Sequence, residues 1–402
     1  MSTRLFDITP FVPSDKALAQ SHLPDKAMQL NTLSAKLMGQ LTANTLSTLE
    51  CYMRVINSYY SNLIEGHSTQ PHDIRAAQRG DYSLDAVKRD LQQESLAHMA
   101  VQSWIRQQKP DLATIFSPDF ILAIHAEFYR HAPDAMRKIK DDKGEVVDVV
   151  IGGEWRNSDV IIGRHIPPQA NNIASLMQRF CASYNSNQFR GDRRLIAIMA
   201  AHHRFAWLHP FIDGNGRVGR LITDAALHAA GLESYGSWCI SRGLARSAST
   251  YKALLAAADS PRQGDSDGRG ALTEKGLMKF CDYMLDTAID QAQYTVEQLD
   301  LSGLGQRINS YIQARMDGRV RGMTSTLKPS SALILHQAFL YGEIQRSQAI
   351  ALTGLAERSA RRLLKQLRDE GLLSETSSKS PLRWEIPEHA EPWYFPALAP
   401  QS

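Results

Sequence analysis

Four cysteines are scattered through the 402 residues, at Cys51, Cys181, Cys239 and Cys281, and none is part of a Cys-x-x-Cys pair. That spacing argues against a disulfide framework or a structural zinc site, and it suits thiols kept reduced in the cytoplasm. An excess of one charge is also missing. Lys plus Arg number 45 and Asp plus Glu 42, giving a net charge of +3. Contact with nucleic acid therefore has to rest on a local patch rather than on the field of the whole chain. The sequence has no apolar run long enough to cross a bilayer. The opening MSTRLFDITPFVPSDKAL lacks a basic stretch followed by an apolar core, so it does not read as a secretory signal. The expectation is a cytoplasmic chain that does not engage a membrane. Internal repeats and low-complexity tracts are lacking too.

What is present is ordinary for a globular chain, 43% hydrophobic and 22% charged, with length for two or three domains. Residues 1–25 carry Pro10, Pro13 and Pro24 and read as an extended arm. From Pro24 to Leu63, apolar residues recur at three- and four-residue spacings (Leu30, Leu33, Leu37, Leu41, then Leu49, Met53, Ile56, Tyr60), which is helical periodicity. Leu84 to Gln107 is a second amphipathic helix, and Ser117-Pro118 looks like an N-cap and first-turn proline opening a helix through Phe128. The Val-, Ile- and Gly-rich stretch from Ile139 to Pro168 reads as strands or an extended hairpin. Helices resume over 171–184, 192–207, 216–230, 247–258 and 273–299. The polar, basic segment from Arg315 to Ser331 reads as a linker or domain edge. Three short helical patterns and two strand-like pieces around Ser377–Pro381 close the chain.

The chemistry is concentrated in HPFIDGNGRVGR, His209 to Arg220. Pro210 and Gly214 interrupt the preceding helix. Gly214, Asn215 and Gly216 let backbone amides converge, and the loop runs into a helix N-terminus, where free N–H groups and the dipole favour an anion. Arg217 and Arg220, three apart on that helix, can fork onto phosphate oxygens. Asp213 is a hard oxygen ligand suited to one magnesium ion bridging two phosphates. A neutral His209 can take a proton from an incoming hydroxyl. Together these describe phosphoryl or nucleotidyl transfer. A plain turn between helices would need neither the histidine nor the arginine spacing. A metal site built from His202, His203 and His209 is disfavoured, because adjacent helical side chains point about 100° apart.

This string resembles the signature of the Fic family, His-x-Phe-x-Asp/Glu-Gly-Asn-Gly-Arg-x-x-Arg, at every specified position. The resemblance implies an all-α fold: a helical core with a small β-hairpin flap, here joined to a C-terminal winged helix-turn-helix domain. The boundaries expected are an N-terminal helical region with an inhibitory helix over 1–110, a catalytic core over 111–300 and a winged domain over 325–402. It also implies transfer of AMP from ATP, with Mg2+, to a Ser, Thr or Tyr hydroxyl of a target protein or of the chain itself. His209 would be the general base and Asp213 the metal ligand. Gly214, Asn215, Gly216, Arg217, Val218, Gly219 and Arg220 would hold the nucleotide.

Ser61-Asn62-Leu63-Ile64-Glu65-Gly66 ends a helix and by itself is unremarkable, but it matches the Fic inhibitory motif Ser/Thr-x-x-x-Glu-Gly/Asn. The resemblance then implies that Glu65, with Ser61, engages Arg220 and blocks the ATP γ-phosphate. Asn157 to Pro168 resembles the target-binding flap, with Val160 and Ile162 on an edge strand and Ile162, Gly163, Arg164 and His165 beside the nucleotide. Tyr251 would border the base. In the C-terminal part, Gly354 lies in the turn before a helix carrying Arg358, Arg361, Arg362, Lys365 and Arg368, open to DNA or to protein contact. Trp393, Tyr394 and Phe395 read as packing residues. Two rival readings stay open: removal of AMP by Glu65, and a nucleotide-sensing DNA-binding regulator. Target identity and oligomeric state, including a homodimer, are not legible.

Overall fold

The computed structural model describes residues 7–140, 143–185, 189–396 and 398. Its elements are largely helical. In chain order they are α1 Asp15–Ala19, α2 Leu23–Gln40, α3 Ala43–Ile64, α4 Pro71–Gln78, α5 Ala86–Gln108, α6 Leu112–Ile115, α7 Pro118–His131, β1 Lys138–Lys140 and β2 Val146–Val149. There follow α8 Ile173–Tyr184, α9 Asp192–Leu208, α10 Asn215–Ala229, α11 Ile240–Arg246, α12 Ala248–Ala258, α13 Glu274–Gln298 and α14 Leu301–Met316. The last are α15 Ser330–Tyr341, α16 Arg346–Thr353, α17 Glu357–Asp369, β3 Leu373–Ser374, β4 Arg383–Trp384 and α18 Glu391–Tyr394. None of the described helices is long and apolar enough to cross a membrane.

The chain divides into two compact units. The first takes the chain through Leu33, Asn57–Tyr235 and Cys239–Gln291. Its centre is α5 against α7 and α9 against α10. Ser117 caps α7 as its sequence predicts, its Oγ accepting from the Phe120 N–H at 3.2 Å. Ile121, Ile124 and Phe128 of α7, Leu195 and Met199 of α9, and Leu221 and Ile222 of α10 are almost fully buried. Each contributes about 1.5–3 kcal/mol of burial, so the loop between α9 and α10 hangs from two well-anchored helices.

The second unit takes Ser34–Ile56, Gly236–Trp238 and the chain from Ala292 on. Here α14 packs on α15 and α18, α15 on α16, and α16 on α17. Gly354 turns between α16 and α17 at φ +63°, where a side chain would be strained. In α17, Ala360, Leu363, Leu364 and Leu367 are buried. Antiparallel β3 and β4 pair Leu373 with Trp384 and Ser374 with Arg383. The segment 317–329 has no helix or strand but is tethered. Buried Arg315 donates to the Ser325 carbonyl at 2.7 Å, and its ion pair with Glu370 is 2.8 Å.

The region read as an extended hairpin resolves differently. The regular hairpin is β1 with β2, pairing Lys138 with Val149 and Ile139 with Asp148. Over Asn157–Pro168 the ladder shrinks to one bridge. Ile162 and His165 exchange both N–H···O bonds at 2.9 Å around a turn with Gly163 at φ +60°. The expected edge strand through Val160 does not form. The Ser158 and Pro168 carbonyls are spent on Arg156, and Pro167 and Pro168 have no N–H to give.

Candidate active site

His209 terminates α9 in a left-handed conformation, φ +46°, which is uncommon for a non-glycine residue. The loop that follows is closed by Asn215. Its Oδ1 accepts from the Phe211 N–H at 2.9 Å, and its Nδ2 donates to the Phe211 carbonyl at 2.8 Å. The Asn215 side chain is thus the clasp of the loop. Gly214, at φ +85°, is the N-cap of α10 and places no side chain over the helix N-terminus. The first N–H groups of α10 keep their anion-binding character.

The two arginines of α10 part company. Arg220 is buried and donates from Nε to Ser61 Oγ at 2.9 Å, from Nη2 to the Ser61 carbonyl at 2.9 Å, and to Glu65 Oε1 at 2.7 Å. Arg217 turns the other way. It pairs with fully buried Glu94 and, from Nη2, with Asp213 Oδ2 at 2.8 Å, while its guanidinium lies 4.9 Å over the Phe128 ring. Tyr129 also donates its hydroxyl to Asp213 Oδ2, at 2.5 Å. Val218, between the arginines, is core.

A cavity of about 820 Å³ opens beside the loop, within the size range of nucleotide-sized ligands. Asn215, Gly216, Gly219 and Arg220 of α10 line it. So do Tyr251, Leu255 and Asp259, the turn Ile162, Gly163, Arg164 and His165, and both His209 and Glu65. Tyr251 is fixed by His202, whose Nε2 lies 2.7 Å from its hydroxyl. His202 and His203 are otherwise buried in hydrogen bonds to Thr223, Leu255 and Asp259, consistent with packing roles. Gly214, Asp213, Arg217, Val218 and Ser61 lie outside the cavity wall.

The charges are settled by surroundings. Burial pushes the His209 imidazole down to about 4, helped by the Arg156 and His165 charges, so it is neutral at physiological pH. Burial alone would raise the Glu65 carboxyl. Arg220 and Arg217 outweigh it and leave Glu65 below the usual range, ionised in the cavity. Burial likewise pushes Asp213 up, but Arg217 and the Tyr129 hydroxyl bring it below its ordinary value. Among the described residues no cluster of three or more metal-ligating side chains exists. One ionised carboxylate beside a helix N-terminus fits Mg2+, which is commonly held by one or two carboxylates plus substrate phosphates.

Three participants escape the sequence reading. Glu94 sits three and seven residues before buried Ala97 and Val101, so a carboxylate falls on the apolar stripe of α5, a signal that was legible. Tyr129 and Arg156 carry no such mark. The Arg156 side chain is fully buried and donates to the carbonyls of His209 at 2.8 Å, Ser158 at 2.9 Å and Pro168. It ties the turn over the cavity to His209. Arg156→Ala should cost about 3 kcal/mol of stability by stranding those acceptors. A chemical denaturation midpoint unchanged from wild type would contradict that role.

Against known proteins, residues 115–227 match the model of the Fic/DOC family. The matched stretch runs from α7 through most of α10. Over 182 residues, 45% of its length, it is 31% identical to the protein adenylyltransferase Fic of Drosophila grimshawi, and over the same span 31% identical to that of Drosophila mojavensis. The match spans about a third of the length of these curated relatives, 34% and 33%. The fold is shared with a Fic family protein from Desulfovibrio desulfuricans G20, with a TM-score of 0.52 and 19% identity over 89% of this chain and 95% of that one. It is also shared with Fic-1 from C. elegans, with a TM-score of 0.55 and 15% identity over 71% and 76%.

Proposed function

We propose that the chain is a protein adenylyltransferase held in check by its own Glu65. The observation that carries this reading is the Arg220 site. A helix N-terminus, a guanidinium and a histidine kept neutral by burial line one cavity, and the Glu65 carboxylate in the same cavity is paired to Arg220 at 2.7 Å, where it would compete with a terminal phosphate. With ATP bound, Gly216, Gly219 and Arg220 would hold phosphates, Asp213 would supply the ligand for Mg2+, and Ile162 to His165 and Tyr251 would flank the nucleoside. Magnesium supplies charge neutralisation on the phosphates. His209 accepts the proton of a protein hydroxyl as its oxygen attacks the α-phosphorus, and pyrophosphate leaves. The acceptor is a Ser, Thr or Tyr of a target or of the chain itself.

The test incubates wild type, Glu65→Gly and His209→Ala with α-labelled and γ-labelled ATP in cell lysate. Label from the α position alone, strongest with Glu65→Gly, is expected. Label from the γ position would replace AMP transfer with phosphate transfer. The ionised Glu65 facing the cavity also favours a second activity, orienting water against an AMP-modified side chain. Release of AMP from a modified target by wild type but not by Glu65→Gly would reveal it.

For residues 325–402 we infer a winged helix-turn-helix, with α17 as its third helix and 377–381 as its wing. Arg358, Arg361, Arg362 and Lys365 form an exposed row on α17, although Arg361 is paired with Glu357. That row favours phosphate contact. A gel shift with genomic fragments at moderate salt should show specific retention, weakened by Arg358→Ala with Arg362→Ala. Absence of retention would leave protein contact as the role of this part.

A further inference from the structure

We propose that Glu94 is the positioning residue of the loop: a buried carboxylate that shares Arg217 with Asp213 and so keeps Asp213 available to a divalent cation. The inference deepens the adenylyltransferase reading and rests on it for the cation's use. Arg217 is buried among α5, α7 and α10, where a cation requires a carboxylate within reach. It has two. One terminal nitrogen meets Glu94 and the other meets Asp213 Oδ2 at 2.8 Å. A guanidinium fork matches both oxygens of a single carboxylate. Here it is divided, and the division is enforced from behind. His67 Nδ1 lies 2.8 and 3.0 Å from the two Glu94 oxygens, so the carboxylate is held from a second side. Tyr129 contacts the same Asp213 oxygen that receives Arg217, so both side-chain contacts load Oδ2.

Removing the Glu94 charge frees the fork to close on Asp213 with both nitrogens. A divalent cation would then have to displace a bidentate ion pair instead of joining a monodentate one. Glu94 never reaches the cavity and acts only through Arg217. The same carboxylate also anchors His67, two residues beyond Glu65, so the turn carrying the brake and the loop carrying the metal ligand share one buried charge.

The test uses the full chain with Glu65→Gly as parent. Mn2+ binding is followed by electron paramagnetic resonance with α,β-methylene-ATP present, and AMP transfer is titrated with Mg2+. Adding Glu94→Gln should raise both metal midpoints about tenfold while changing kcat at saturating metal by less than about threefold. A merely structural role would lower kcat and melting temperature and leave the midpoints in place, and that result overturns the proposal. So does a parent that binds no Mn2+. If Glu94→Gln does not fold, Glu94→Asp, which keeps the charge one methylene short, should raise the Mn2+ midpoint by about threefold, and an unchanged midpoint again overturns it. A parent that transfers no AMP, with the Mn2+ midpoint still raised by Glu94→Gln, refutes the adenylyltransferase reading and leaves the role of Glu94 standing.

Discussion

Glu65→Gly should raise AMP transfer by about tenfold to a hundredfold at fixed ATP. The reason is a competition between two anions for one place. A Cβ built on Gly216 would lie 2.1 Å from Glu65 Oε1, so the carboxylate presses against the first turn of α10. That is where a helix N-terminus would draw a phosphate. Two unit charges about 4 Å apart at an effective dielectric near 20 repel by about 4 kcal/mol, so γ-phosphate and carboxylate cannot share the site without large loss. Replacement by glycine removes the charge and frees the Glu65 bond of Arg220. The arginine keeps its bonds to the Ser61 hydroxyl and carbonyl, so the helix end stays folded. Residue 65 follows the last residue of α3, and glycine there does not interrupt the helix. Glu65→Gln, which keeps the size without the charge, should give an intermediate rise if charge is the brake. Equal α-label incorporation by wild type and both variants would remove the brake from the account.

The sequence made this pairing legible and missed its surroundings, for a physical reason. A loop whose chemistry needs contiguous residues, such as His209 to Arg220, is written in one stretch, and the distant Glu65 could be joined to it through a motif of fixed spacing. Glu94, Tyr129 and Arg156 act across the fold, 123, 84 and 53 residues from their partners Arg217, Asp213 and His209. Their side chains are chosen by packing that no local pattern encodes. Most helices followed from periodicity. Helix α14 did not. Its start carries Gly303 and Gly305, which lower helix propensity. A Cβ at Gly305 would come within 2.9 Å of the His336 imidazole on α15, so the glycine leaves room for that side chain. The edge strand expected within Asn157–Pro168 failed in the opposite direction. Its Val and Ile alternation suggests a strand, but buried Arg156 takes the carbonyls that a strand would need.

His209→Ala should abolish transfer, by about 10²–10⁴-fold, even when combined with Glu65→Gly. Its left-handed backbone makes alanine a strained replacement, so His209→Asn is the sharper variant: asparagine tolerates φ +46° and cannot act as a comparable base. Loss in both, with melting temperatures near that of the parent, isolates the imidazole from the backbone. The same residue sets the acid limb of the pH profile. In solution a histidine is half protonated near pH 6.5. Here burial, with Arg156 and His165 alongside, brings His209 down to about 4. The base is already deprotonated across pH 5–8, so kcat/KM should stay flat on acidification from pH 8 and fall only as pH approaches 4. Arg156 then becomes the discriminating control. Because its charge is one cause of the depression, Arg156→Met should move the acid limb upward toward the ordinary histidine value. A wild-type limb centred at 6.5 would show that the imidazole is solvated when it works, and the buried geometry of His209 would not be the reactive one.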